Sequence, residues 1–118
     1  KHITIKNFTS SPEKIFPLAD IFCLPSSREG FGMSLIEASS CNVPVIGSNI
    51  VGIRDAISDN YTGYLFSLTK HNDLLIKLTK LVDNQDLRDQ LGNNGRKYVI
   101  NNFNNNYVIN DLISKLEL

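Results

Sequence analysis

The sequence predicts an α/β domain with a parallel sheet covered by helices, and three observations carry that prediction. Residues 21–24 and 44–47 are short continuous apolar runs, the pattern of strands buried on both faces. Each run is followed by a loop and then a helical stretch, and from about residue 71 the apolar periodicity is helical to the end. Strands that alternate with helices in this way join through right-handed crossovers, and ligands of such domains bind outside the carboxyl ends of the strands.

Taken in order, residues 2–8 alternate, with Ile3 and Ile5 on one side and Thr4 and Lys6 on the other, which predicts a strand. Pro12 suits the first position of a short helix over residues 12–16, whose end Pro17 leaves open. The run at 21–24, bounded by Asp20 and Pro25, is the next strand. Gly30 and Gly32 then break the chain before a helix from about Met33 to Cys41, with Leu35, Ile36 and Ala38 toward the sheet and Ser34 and Glu37 sharing another side. Asn42 is read as its left-handed stop. After the strand at 44–47 come a loop over 48–52, a short helix over 53–57, a turn cluster at 59–63 and a strand at 64–66.

The remaining chain carries three helical stripes, each expected to face a core: Leu74, Leu75, Leu78, Leu81 and Val82; Leu87, Leu91 and Tyr98; and Val108, Ile109, Leu112, Ile113 and Leu116. The Asn-rich run at 101–106 contains Phe103 and is read as a junction between helices.

Composition narrows the function classes. At 118 residues and 42% hydrophobic, the chain supports one core, a single domain or part of one. Twelve Lys and Arg balance twelve Asp and Glu, so nothing in the charge favours nucleic acid or an anionic membrane surface. No apolar run is long enough to cross a bilayer. The chain opens on Lys1 within a strand-like pattern, and we expect a piece of a longer protein. Cys23 and Cys41 have neither pairing nor ligand spacing and read as two reduced, buried thiols of a cytosolic protein. His2 and His71 have no Cys or His nearby, so no metal site is expected.

The chemistry concentrates in residues 25–38, directly after a strand. Gly30 and Gly32 flank Phe31, where backbone N–H groups can meet a ligand without a side chain in the way. The helix start at Met33 and Ser34 adds unpaired N–H groups and the positive end of its dipole, which favour a phosphate or diphosphate. Leu35 stands where a dinucleotide fingerprint has its third glycine, and two glycines at a strand-to-helix turn are often only a turn. Glu37 is either a solvated acid near the helix start or an acceptor for ribose hydroxyls. Glu29 is either a surface charge paired with Arg28 or an acceptor for a sugar hydroxyl.

Residues 19–26, Glu29-Gly30-Phe31-Gly32, Glu37-Ala38, Cys41, residues 43–46 and Gly52 together resemble the carboxyl-terminal, donor-binding domain of the retaining glycosyltransferases of the glycosyl transferases group 1 family. Glu29 and Glu37, seven residues apart, match the Glu-x7-Glu motif of that family. The resemblance implies a GT-B architecture, two Rossmann-like domains across a cleft, of which residues 1–118 are part of the carboxyl-terminal half. It implies a nucleotide-sugar donor and transfer to a glycan or lipid-linked sugar with retention, without a metal or other cofactor.

By the same resemblance, Glu29 holds the donor sugar near its ring carbon three and is the candidate catalytic residue. Glu37 holds the ribose, and Gly30, Phe31, Gly32, Met33 and Ser34 meet the sugar and the diphosphate. Three positions depart from the family pattern: Asn42 replaces a glycine, Val51-Gly52 replaces a Gly-Gly pair, and Asp55 stands where an acid follows, read either as a nucleotide contact or as a helix cap.

The family's phosphate-facing Arg and Lys and its acceptor-binding domain are expected upstream of Lys1, so this piece alone is expected to be inactive. The competing readings are a non-catalytic nucleotide-sugar-binding or regulatory module and a structural fragment. A bacterial, cytoplasmic protein of polysaccharide biosynthesis, free or peripheral to the inner face of the membrane, is the expected setting.

Overall fold

The computed structural model describes residues 2–7 and 10–116, leaving aside the side chain of Val108. Its sheet has three parallel strands in the order β1 (Phe22–Leu24), β2 (Val45–Ser48) and β3 (Gly63–Phe66). Phe22 lies beside Val45, Cys23 beside Ile46 and Leu24 beside Gly47, while Ile46 lies beside Tyr64 and Ser48 beside Phe66. Helices α2 (Met33–Ser40) and α3 (Val51–Arg54) make the two crossovers. Before the sheet, α1 (Pro12–Ile15) continues into a 3-10 turn over Phe16–Leu18. After it come α4 (Asp73–Val82), α5 (Gln85–Asn102) and α6 (Tyr107–Leu116).

Alternation along the strands divides the core into two layers. Val45 packs with Leu35, Ile36, Ala38, Ile53, Ala56 and Ile57 on the α2–α3 side, joined by Val99 and Ile109 from the last two helices. Its neighbour Ile46 points the other way, into a layer with Tyr64, Phe66, Leu81 and Leu91. Phe22, Leu24 and Leu65 follow Val45, and Cys23 follows Ile46. Every residue of β2 is buried, as expected of a strand with neighbours on both sides.

Several expectations are corrected. The alternating segment 2–7 forms no strand, and Ile3 and Ile5 are 83% and 90% exposed, because no described strand lies beside it to complete a ladder; Phe8 lies outside the described residues. β1 is half-buried rather than fully covered, since β2 alone pairs with it among the described residues. The short helix after β2 spans Val51–Arg54, ahead of the expected 53–57, with Ala56 and Ile57 buried in the turn beyond it. Within α4, Leu81 is buried and Leu74 and Leu78 are half-buried, but Leu75 and Val82 are mainly exposed: the helix buries a narrow stripe on the β3 side of the sheet.

The end of α2 has the left-handed stop that the sequence predicts. Asn42 has φ of +65°, the left-handed conformation, and its Nδ2 donates to Asn93 Oδ1 at 2.8 Å. Arg96 Nη1 donates to the Ser40 carbonyl at 2.6 Å, a cation at the negative end of the α2 dipole. These contacts lay α5 across the end of α2. Both cysteines are free and half-buried rather than fully buried, and burial pushes their thiols up.

Candidate functional site

The loop over residues 25–32 leaves the carboxyl end of β1, where the fold places ligands. Ser48 Oγ, at the end of β2, donates to the Leu24 carbonyl at 3.4 Å, and the Asn49 amide donates to the Phe66 carbonyl at 2.8 Å. The carboxyl ends of all three strands are thus tied to the segment that follows β2. That segment approaches the β1 loop so closely that a side chain on Gly52 would meet the Glu29 carbonyl.

Between them lies an open cleft of about 690 Å³, lined by Ser27, Arg28, Glu29, Gly30, Ile50, Val51 and Gly52. Arg28 and Glu29 are both exposed, and among the described residues no ion pair joins them, so the reading of Glu29 as a paired surface charge does not hold. Val51 is 81% exposed at the edge of this cleft. Of the two positions, Gly52 is therefore the one whose backbone contact excludes a side chain, while Val51 faces outward.

Gly32 has φ of +72° and stands at the start of α2, with no side chain capping the helix. Its carbonyl accepts from the amides of Leu35 at 2.9 Å and Ile36 at 3.4 Å, while the amides of Met33 and Ser34 precede the first intrahelical bonds. Glu37 sits in the second turn and is half-buried, so it is not the fully solvated acid of the simplest reading. Burial pushes its carboxyl above the usual glutamate range.

The structure brings Glu29 and Gly30 to the wall of the cleft. It places Gly32, Met33 and Ser34 next to that wall at the helix start, and Glu37 farther along α2, outside the lining. Phe31 turns away to pack edge-on against Phe103, with ring centroids 5.7 Å apart. Asp55 stands at the carboxyl end of α3, so it cannot cap the start of that helix; its carbonyl accepts from the Tyr98 hydroxyl at 2.9 Å. Ser27 and Arg28 fall within the stretch 25–38 that the sequence marks for chemistry, though without a role there. Ile50 and Val51 were not expected as cleft wall, and the one signal for them was the glycine at 52.

A second cavity, about 530 Å³, opens between β3 and α4 and includes Ser67, Lys70, His71, Asp73 and Leu78. Its buried acid is already engaged: Asp73 Oδ2 accepts from the Ser67 amide at 2.8 Å and from Lys77 Nζ at 3.0 Å, and Lys77 also donates to the Leu65 carbonyl at 2.8 Å. This is a latch between strand and helix. Among the described residues no group of three or more His, Cys, Asp or Glu is placed to hold a metal ion.

Comparison with known proteins agrees with the architecture. A family model, glycosyl transferases group 1, matches residues 1–98. The capsular polysaccharide biosynthesis glycosyltransferase CapM of Staphylococcus aureus is 32% identical over 113 residues, 96% of this chain and 30% of that protein. The poly(ribitol-phosphate) alpha-N-acetylglucosaminyltransferase of Staphylococcus aureus strain COL is 30% identical over 110 residues, 92% of this chain and 22% of that protein. Among solved structures, a variant of S. aureus TarM in complex with fondaparinux, alpha-GlcNAc-glycerol and UDP superimposes with a TM-score of 0.74 at 31% identity, covering 92% of this chain and 21% of that one. The chain thus spans less than a third of the length of each of these relatives. The three-stranded sheet with its flanking helices is part of a Rossmann-like half of the GT-B fold, and the chain belongs to the glycosyl transferases group 1 family.

Proposed function

We propose that this chain is the donor-binding part of a retaining, metal-independent glycosyltransferase that moves a sugar from a nucleotide to a glycan or lipid-linked acceptor. The observation that carries the reading is the cleft at the carboxyl ends of β1 and β2. It has an exposed carboxylate, Glu29, on its wall and an uncapped helix start a few residues on. In this reading Glu29 accepts a hydrogen bond from a donor-sugar hydroxyl and faces the positive charge that develops at the anomeric carbon as the bond to the diphosphate breaks. The amides of Met33 and Ser34, at the positive end of α2, oppose the negative charge left on the diphosphate. Glu37 accepts from the ribose hydroxyls. The acceptor site and further cations are supplied by other parts of the full-length protein.

The UDP in the TarM complex makes uridine diphosphate the first nucleotide to try. The test is isothermal titration of the full-length protein with uridine and guanosine diphosphates, beside transfer of a radiolabelled sugar. Replacing Glu37→Ala weakens nucleotide binding by about 10- to 100-fold, the range for losing a hydrogen bond to a charged group. Replacing Glu29→Gln lowers turnover by about 100-fold or more while nucleotide affinity is retained. Unchanged affinity and rate in both variants would overturn the assignment.

A further inference from the structure

Both supports of the Glu29 loop lead to the same distant place, the carboxyl end of α5. The first support is Phe31, two residues past Glu29, whose ring meets Phe103 edge-on at 5.7 Å. Phe103 follows the last residue of α5, and its amide closes the helix by donating to the Val99 carbonyl at 2.8 Å. The second support is α3, whose Gly52 lies under the Glu29 carbonyl. The far end of α3 is held by Tyr98 of α5, through the hydrogen bond from its hydroxyl to the Asp55 carbonyl. Tyr98 and Phe103 touch in turn, with ring centroids 6.1 Å apart at 65°. Three aromatic rings and one hydrogen bond therefore join the loop, α3 and α5 into a single clamp.

This clamp lies at the margin of the core, with Phe103 packed on the layer that holds Val45 and Phe31 outside it. Phe31 is 37% exposed and Phe103 half-buried, so neither ring contributes what a fully buried aromatic does. The loop over 25–32 has no regular secondary structure to hold it, and Glu29 itself is exposed. α5, by contrast, is fixed at its middle by Asn93 and Arg96 on the end of α2. A rigid helix that presents aromatic groups to an irregular loop is a means of fixing that loop.

We propose that Phe103 and Tyr98 are positioning residues of the active site: through Phe31 and Asp55 they set where the Glu29 carboxylate stands relative to the donor sugar. The proposal rests on the donor-site reading for its consequence in turnover, and on the structure alone for its consequence in loop order.

The test uses the full-length protein with Phe103→Ala, Phe103→Tyr and Tyr98→Phe, read by amide hydrogen exchange and by steady-state kinetics. In Phe103→Ala, exchange at residues 31–33 speeds by about 2- to 13-fold, the equivalent of one aromatic pair, with β2 unchanged. In the same variant kcat falls by more than affinity for the nucleoside diphosphate does, since Met33, whose amide faces the diphosphate, lies at the end of the loosened segment. Phe103→Tyr, which keeps the ring, restores both. Tyr98→Phe, which loses the hydroxyl alone, speeds exchange around residues 50–55 and in the Glu29 loop by about 2- to 12-fold. Uniform loss of protection across the domain, or an unchanged loop in Phe103→Ala, overturns the proposal. If the wild-type protein neither binds nucleotide nor transfers sugar, the donor-site reading has failed, and the exchange measurements alone decide the clamp.

Discussion

The backbone of Gly52 lies against that of Glu29: a Cβ on Gly52 would run into the Glu29 carbonyl and stand 3.1 Å from the carbonyl oxygen of Gly30. Both partners are main chain, so neither can move aside as a flexible side chain would. Gly52→Ala is therefore expected to cost at least about 1–3 kcal/mol, the usual range for overpacking, and to displace the Glu29 loop. Val51→Ala, at an 81% exposed neighbour, stays within about 0.5 kcal/mol of wild type. Urea unfolding of the two variants checks the contrast, and sugar transfer in the full-length protein should fall for Gly52→Ala.

What was legible in the sequence follows from the range of the forces involved. The burial of β2 and the helix over α2 are written in local pattern, and the stop at Asn42 in local backbone preference, and all three appear in the structure as read. The segment with Ile3 and Ile5 has the alternation of a strand, but a strand exists only beside a partner, and no single segment's pattern reveals one. Leu75 and Val82 fit the helical period of α4 yet stay exposed, because periodicity does not say how wide a face the neighbour covers. At the site, Glu29, Gly32 and Glu37 stood out by type and spacing. Tyr98 and Phe103 did not, because their contacts form where the Glu29 loop and α3 each meet α5, which no local pattern announces.

Asn42 supplies a test of backbone conformation separated from packing. Its φ of +65° costs a residue with an ordinary Cβ about 1–2 kcal/mol, whereas glycine adopts it freely. Asn42→Ala is expected to lose about that much stability. Asn42→Gly gives up only an exposed hydrogen bond to Asn93 and remains close to wild type. Equal losses in the two variants, measured by urea unfolding, would mean that the side-chain contact matters more than the conformation.

Asp73 fixes the β3–α4 latch and gives stability an acid limb. The hydrogen bond from the Ser67 amide, followed by that from Lys77, holds its carboxyl below the usual aspartate range. A depressed carboxylate contributes stability that is present above the unfolded-state value and is lost as pH falls through the folded value. Asp73→Asn is therefore expected to be less stable at pH 7 and to show a shallower decline on acidification. Denaturation midpoints measured from neutral pH down through the aspartate range check both, and parallel curves for the two proteins would rule out Asp73 as the source.

Glu37 has the opposite sign. Burial raises its carboxyl, so its contribution to stability is fully present below the unfolded-state value and is lost as pH rises through the folded one. Above the folded value the ionised Glu37 therefore works against folding, and Glu37→Gln, which keeps the shape without the charge, should there be at least as stable as wild type. It should also lack the fall in stability just above the glutamate range, while the full-length variant binds nucleoside diphosphate more weakly. If Glu37→Gln instead unfolds more readily above the folded value and binds nucleotide as wild type does, Glu37 belongs to the support of α2 rather than to the site.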